Sequence, residues 1–357
     1  YYATTQAGAA ISGGGLLVEG GAQNLLGSTD MTSGTWYGNC SASNDGTQAL
    51  GMAMCKITKT LSSGSEARTI TANAGSAVAA GWYSVRVALL ASANCTQLTF
   101  GLLGGSSGWG ASADSVLTNI SGPGTVSRNN GALTQVTGLS TTVATVVEIK
   151  RNLAASELLY LFFYPDTHNS TTIGRAIYAA VGNLEAGSIC TSRIPTSGSM
   201  LTRPADSVTL PTAGNLGAEW GAMSATVTLP SVATSSTYRT VLMLTGQNYS
   251  PMYFWETGSL TYLASAVWGQ VVVASIGART PGGSFNCASV WRGGEKLRVT
   301  YGGGISALGA NATSAAALPS TLTLGNWGGG DYLNGAIRDL KLYGLDLTAA
   351  QLQTVTA

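Results

Sequence analysis

Charge is what this sequence has least of. Asp, Glu, Lys and Arg make up 9 % of its 357 residues, against about 25 % in ordinary soluble proteins. Formal net charge is +1 and the 17 Lys and Arg form no basic run, so bulk electrostatics argues against nucleic acid or an anionic membrane surface as a partner. One histidine and five widely spaced cysteines, with no C-x-x-C pair, make zinc a poor fit. Cys40, Cys55, Cys95, Cys190 and Cys287 leave one over after any pairing, so they read as buried thiols used as small hydrophobes, with a Cys40–Cys55 bond left open. No apolar run approaches the roughly 20 residues that span a bilayer, so membrane insertion is not expected. The start at Tyr1 shows neither a basic n-region nor an apolar h-region. Lacking an initiator Met, the chain reads as a processed product, a cloned fragment or the ordered part of something longer.

What is plentiful is apolar residues, 45 % of the chain, together with 48 glycines and many Ser and Thr. Helical surfaces are normally coated with Lys, Glu and Arg, whereas Thr and Val suit the pleat and Gly supplies turns. This is the composition of an all-β protein. The length exceeds one ordinary sandwich and suits two.

Alternation along the chain fits that reading. Tyr83, Val85, Val87 and Leu89 alternate with Ser84, Arg86 and Ala88; Leu98, Phe100 and Leu102 repeat the period, as do Val143, Thr145, Val147 and Ile149. Leu158 to Tyr164 is apolar on both faces, as a central strand would be. The pattern lapses between Gly187 and Asn215, where Pro195, Pro204 and Pro211 occur, and resumes with Ala225, Val227 and Leu229. The expected organisation is an N-terminal arm (1–21), a first sandwich (22–190), a linker (191–215) and a second sandwich (216–357). Thr348 with Gln351 three residues on forms a capping box, and Leu347 with Leu352 a hydrophobic staple, so a short C-terminal helix is expected. The fold class is therefore all-β: two tandem antiparallel β-sandwich domains of jelly-roll type and one short helix.

Gly15-Leu16-Leu17-Val18-Glu19, then Gln23-Asn24-Leu25-Leu26, Ser28, Asp30 and Trp36, resembles the opening phrase of a widespread bacteriophage head- or tail-fibre module, which leads into a jelly roll like a carbohydrate-binding module. Gln23 and Met31 stand where that family usually has Thr and Phe. Gly182 to Gly187, Thr191-Ser192, Ile194-Pro195-Thr196 and Thr202 to Asp206 resemble the same module's end and linker. Leu324-Gly325-Asn326, Tyr332 to Ile337, Leu340, Tyr343, Leu347-Thr348 and Leu352 resemble the closing strands of a laminin-G-like, concanavalin A-like sandwich. The resemblance implies a spike or fibre component on the virion surface, in head or tail. Its implied partners are host cell-surface polysaccharide for attachment, other virion proteins and copies of itself, a trimer being one arrangement. It also leaves room for a structural calcium ion held partly by backbone carbonyls. No other cofactor is expected.

The chemistry of the residues points the same way. A glycosidase flanks one bond with two carboxyl groups, and concanavalin-type glucanases often supply them as acid-x-acid on one strand. Here no two acids lie closer than Asp339 and Asp346. Gly104-Gly105-Ser106-Ser107-Gly108 fits G-x-S-x-G, and His168 follows Asp166 by two. Yet no helix pattern follows that Ser to make a nucleophile elbow, so His168 reads as a polar loop residue. The glycine strings near 101–110 and 302–309 lack the Lys-Ser/Thr of a phosphate loop and read as turns. A non-enzymatic role is expected.

Sugars stack their C–H faces on exposed aromatic rings and bond their hydroxyls to Asp, Asn and amides. Trp109 and Trp327 sit in Gly-rich turns where a ring is hard to bury, and Asp331 and Tyr332 neighbour the latter. These four are the candidate carbohydrate-binding residues. Most sandwich aromatics are core, and Trp36, Trp82, Trp220 and Trp291 are read so. A purely structural decoration or assembly protein using the same aromatics is the first alternative, and a polysaccharide depolymerase the second.

Overall fold

A computed structural model describes residues 5–6, 9–10, 16–32, 36–62, 66–105, 115–129, 133–213, 216, 220–229, 233, 236–244, 249–257, 260–267, 270–278, 282–292, 297–304, 320–327, 331–343 and 347–357. Compactness divides the chain into an N-terminal unit, Ala22–Arg203, and a C-terminal unit, Ile11–Gly21 with Pro204–Ala357, apart from the first ten residues. Among the described residues every strand pairing is antiparallel.

Among the described residues the N-terminal unit stacks two six-stranded sheets. One runs Thr125–Asn129, Leu133–Thr137, Leu98–Gly104, Leu159–Pro165, Arg68–Thr71, Tyr37–Gly38; the other runs Ser115–Ser121, Thr145–Leu153, Gly81–Ala91, Ala176–Ala186, Cys55–Thr58, Ser41–Ser43. The alternation does what the period predicts: Val85, Val87, Leu89, Phe100, Leu102, Ile177 and Val181 meet between the sheets. Phe163 anchors that core, with Phe100 stacked at 6.0 Å and Trp36 at 6.1 Å. Leu159–Pro165 is central, as its two-faced apolarity requires. Phe162 and Tyr164 turn the other way, into a small cluster with Ala67 and Leu103.

The C-terminal unit stacks a six-stranded sheet (Val208–Pro211, Thr321–Leu324, Ser236–Leu244, Tyr249–Thr257, Thr261–Val267, Gln270–Gly277) on a five-stranded one (Leu297–Tyr301, Ser284–Arg292, Trp220–Thr228, Gly335–Tyr343, Leu16–Val18). Met223, Val227, Met252, Phe254, Leu263, Val299 and Ile337 fill the space between. The helix Ala349–Thr356 carries the expected capping box at Thr348. It lays Leu352 against Ala222, Ala288 and Val290 on the outer face of the five-stranded sheet.

Two segments differ from expectation. Of the expected arm, Leu16–Val18 is an edge strand of the C-terminal unit, paired with Gly335–Ile337, because its apolar cluster completes that sheet. The expected linker is divided between the units. Leu201–Arg203 pairs with Ala22–Asn24, and Val208–Pro211 pairs with Thr321–Leu324. Pro211 ends an edge strand, where a missing N–H costs no ladder bond. Trp82 is also corrected. It is only partly buried, because Tyr83 and Val85 take the inward positions of its strand.

The phrases that carry the family resemblance meet in space as structural clamps. Buried Asn24 accepts from the Leu26 and Leu184 amides and donates to the Ile194 carbonyl at 2.8 Å. Asn183 donates to Ser192 and accepts from Ile194, while Glu185 accepts from the Thr191 amide and hydroxyl. In the C-terminal unit, the Glu19 amide donates to the Asp206 carboxylate and the Asp206 amide to the Glu19 carbonyl, both at 2.9 Å.

Candidate functional site

Side chains alternate across a pleat, and in the six-stranded sheet of the C-terminal unit Met252, Phe254 and Leu263 turn into the core. Tyr253, Trp255 and Tyr262 therefore turn outward. Register sets Tyr238 opposite Trp255, Trp255 opposite Tyr262 and Tyr262 opposite Ser275, one row across four strands. A second row, Thr240, Tyr253, Ala264 and Val273, runs beside it.

The rings form a continuous series. Tyr262 and Trp255 stack at 5.2 Å, Trp255 and Tyr238 at 6.4 Å; Tyr238 meets Tyr253 at 5.9 Å, and Tyr253 meets Trp327 edge-on at 6.3 Å. Both faces of Trp255 are thus covered by tyrosines, and its indole N–H donates to the Ser236 hydroxyl. Among the described residues Tyr262 has a neighbour ring on one face only. Ser275, next in the row, is too short to cover the other. Tyr238 is 43 % exposed, and Val271 and Val273 at the sheet edge are 58 % and 41 % exposed. Neither row contains a charged side chain. The nearby Arg239–Glu256 pair, 2.7 Å apart, is turned inward and fully buried.

Of the four residues singled out from sequence, Trp327 joins this face. Asp331 comes with it, its carbonyl accepting from the Thr240 amide, and burial raises its carboxyl pKa above the ordinary value. Tyr332 turns elsewhere: its ring lies on Gly20, where a β-carbon would come within 2.9 Å of it, so a glycine there is a packing requirement. Trp109 lies outside the described residues. Tyr238, Tyr253, Trp255 and Tyr262 were not foreseen. The signal was available in Met252-Tyr253-Phe254-Trp255, where rings with a polar atom alternate with wholly apolar side chains.

Ser106 lies outside the described residues, and His168 sits edge-on against Tyr164 at 4.9 Å in the N-terminal unit. Three acids are held in buried ion pairs: Glu66 with Lys59, Glu148 with Arg86 and Lys150, and Glu256 with Arg239. Among the described residues no group of three or more His, Cys, Asp or Glu could hold a metal ion. All five cysteines are buried and unbridged.

No family model matches the chain, and no curated protein matches it. Solved structures with similar architecture include the CBM40 of Ruminococcus gnavus IT-sialidase bound to α2,3-sialyllactose, at 15 % identity over 40 % of this chain and 84 % of that one, with a TM-score of 0.29. Sheep galectin-11 in complex with glycerol matches at 14 % identity over 39 % and 95 %, with a TM-score of 0.23. Domains LG4–5 of the mouse laminin α1 chain match at 11 % identity over 82 % and 92 %, with a TM-score of 0.27. At such TM-scores none of these likenesses bears on which residues meet a ligand.

Proposed function

We propose that the protein binds carbohydrate without catalysis, through the outward aromatic face of its C-terminal sandwich. The observation that carries this reading is the ring series Tyr262, Trp255, Tyr238, Tyr253 and Trp327 on one sheet face, with Tyr238 exposed, Tyr253 buried within the series and the Asp331 carbonyl beside it. Tyr and Trp combine an apolar body with a polar tip, which suits the mixed C–H and hydroxyl surface of a sugar. The resemblance of the clamp phrases to phage fibre modules supports a place on the virion surface, with host polysaccharide as the partner. Weak single contacts would then gain strength from many copies on one particle.

Retention of the full chain on immobilised bacterial polysaccharides and a glycan array tests this. Trp327→Ala and Tyr262→Ala are expected to weaken retention at least ten-fold without unfolding the protein. Retention of the intact protein on no saccharide would overturn it. Exposed Val271 and Val273 beside the rings favour the second reading, an assembly contact in a structural decoration. That reading is supported if the two variants lose self-association while saccharide retention is unchanged.

A further inference from the structure

Ser275 ends the aromatic row and also lines a cleft of about 370 Å³ in the C-terminal unit. Val273, Ala274 and Ser275 of the edge strand form one wall; Thr300, Tyr301, Gly302 and Gly304 form the other. The Tyr301 hydroxyl ties the walls by donating to the Ser275 carbonyl at 2.8 Å. Gly302 and Gly303 turn with φ of +52° and +75°, a region glycine enters without the steric cost other residues meet. Their turn is pinned by three bonds: Gly302 N to Asn286 O at 3.1 Å, Gly304 N to Tyr301 O at 2.9 Å, and Gly303 N to the Thr356 hydroxyl at 3.2 Å. The far wall is therefore preformed.

Small-ligand pockets begin at roughly 300 Å³, so the cleft has room for a sugar unit. None of the seven lining residues is charged. A carboxylate entering it would lose water and meet no cation among the described lining residues, which is costly, whereas an uncharged ring would find hydroxyls, carbonyls and the exposed Val273 side chain.

We propose that the cleft is a subsite for a neutral sugar, continuous with the aromatic face: one unit of the glycan stacks on Tyr262 and the next enters the cleft beside the Ser275–Tyr301 hydrogen bond. Uronic and sialic acid units are refused there. The inference rests on the carbohydrate-binding reading and adds to it the position and the charge class of the ligand.

The test is an NMR titration of the isotope-labelled full chain with maltohexaose, cellohexaose, mannohexaose and a galacturonic acid hexamer. At least one neutral hexaose is expected to shift the amides of Ser275, Gly302 and Gly304 together with Tyr262, and the acidic hexamer to leave them in place. Ser275→Trp and Val273→Trp, both at exposed positions, should each weaken that neutral ligand at least ten-fold, with melting temperature confirming the fold. A neutral hexaose that shifts Trp255 and Tyr262 but neither Ser275 nor Gly304, and binds Ser275→Trp unchanged, overturns the cleft and leaves the aromatic face standing. Equal shifts with the acidic hexamer overturn the charge selection. If no hexaose binds, the subsite is overturned; if the protein is also retained on no polysaccharide, the carbohydrate reading falls with it.

Discussion

Arg86, Glu148 and Lys150 carry charge to a place water does not reach. Each is at most 2 % exposed, with Glu148 oxygens 2.5 Å from Arg86 and 2.8 Å from Lys150. Burial alone raises the Glu148 carboxyl, but Lys150 and Arg86 outweigh it and bring the pKa to about 2 from 4.5. The sign follows from a depressed folded value: the stabilisation is complete above the unfolded pKa near 4.5 and disappears as pH falls through about 2. Glu148→Gln leaves two buried cations without their counter-charge, and is expected to cost about 3–5 kcal/mol at neutral pH. Calorimetry should also show a smaller loss of melting temperature between pH 4.5 and 2 in that variant than in the parent chain. Burial acts on the thiols too, pushing Cys55 up to about 11 and Cys40 and Cys287 to about 12. Since the thiolate is the reactive form, Ellman's reagent at pH 8 should label no cysteine in the native protein and all five after guanidinium. Rapid native labelling would contradict the buried placement.

Within one strand, neighbouring residues of Tyr249–Thr257 have opposite fates. Phe254 is sealed in the core and Trp255 looks outward. Phe254→Ala is expected to cost about 3–5 kcal/mol in a denaturant titration, whereas Trp255→Ala, which removes cross-strand ring contacts and an exposed hydrogen bond to Ser236, should cost about 1 kcal/mol. If both cost the same, the outward assignment of the aromatic face fails. At the C-terminal helix, Thr348 satisfies the Gln351 amide and Gln351 answers the Thr348 amide. Thr348→Ala should lower stability by about 1 kcal/mol. This element was readable in advance because a capping box is a matter of residues three apart. The edge-on contact of Trp327 with Tyr253 was not legible, because it joins residues 74 positions apart. Nor was the packing of Tyr332 legible: nothing near it in the chain announces that Gly20, 312 positions away, makes room for its ring.

Taken whole, the molecule does not respect its own linear order. The C-terminal sandwich borrows Leu16–Val18 from the other end of the chain, pairing Leu16 with Ile337, Leu17 with Ala336 and Val18 with Gly335. It then holds the segment in place through Glu19 and Asp206. Deleting residues 1–20 is therefore expected to destabilise the C-terminal unit by at least about 3 kcal/mol, at about 1 kcal/mol for each net hydrogen bond lost at Glu19 and Gly20 and more for the strand ladder, while the N-terminal unit keeps its own transition. Two-transition calorimetry separates these outcomes, and a fall in the N-terminal transition alone would overturn the assignment.

Sequence by itself determined the all-β class, the two sandwiches, the capped helix and the burial of the thiols. Each follows from local rules: period-two alternation, turn-forming glycines, a capping spacing and the scarcity of long charged side chains. Only the tertiary structure decided where the sheets find their edges and which residues share a face. Tyr238, Trp255, Tyr262 and Ser275 become one row through the register of four strands. A shift of one residue in any pairing would turn that strand's rings inward, so the row belongs to strand pairing, which no local stretch of sequence encodes.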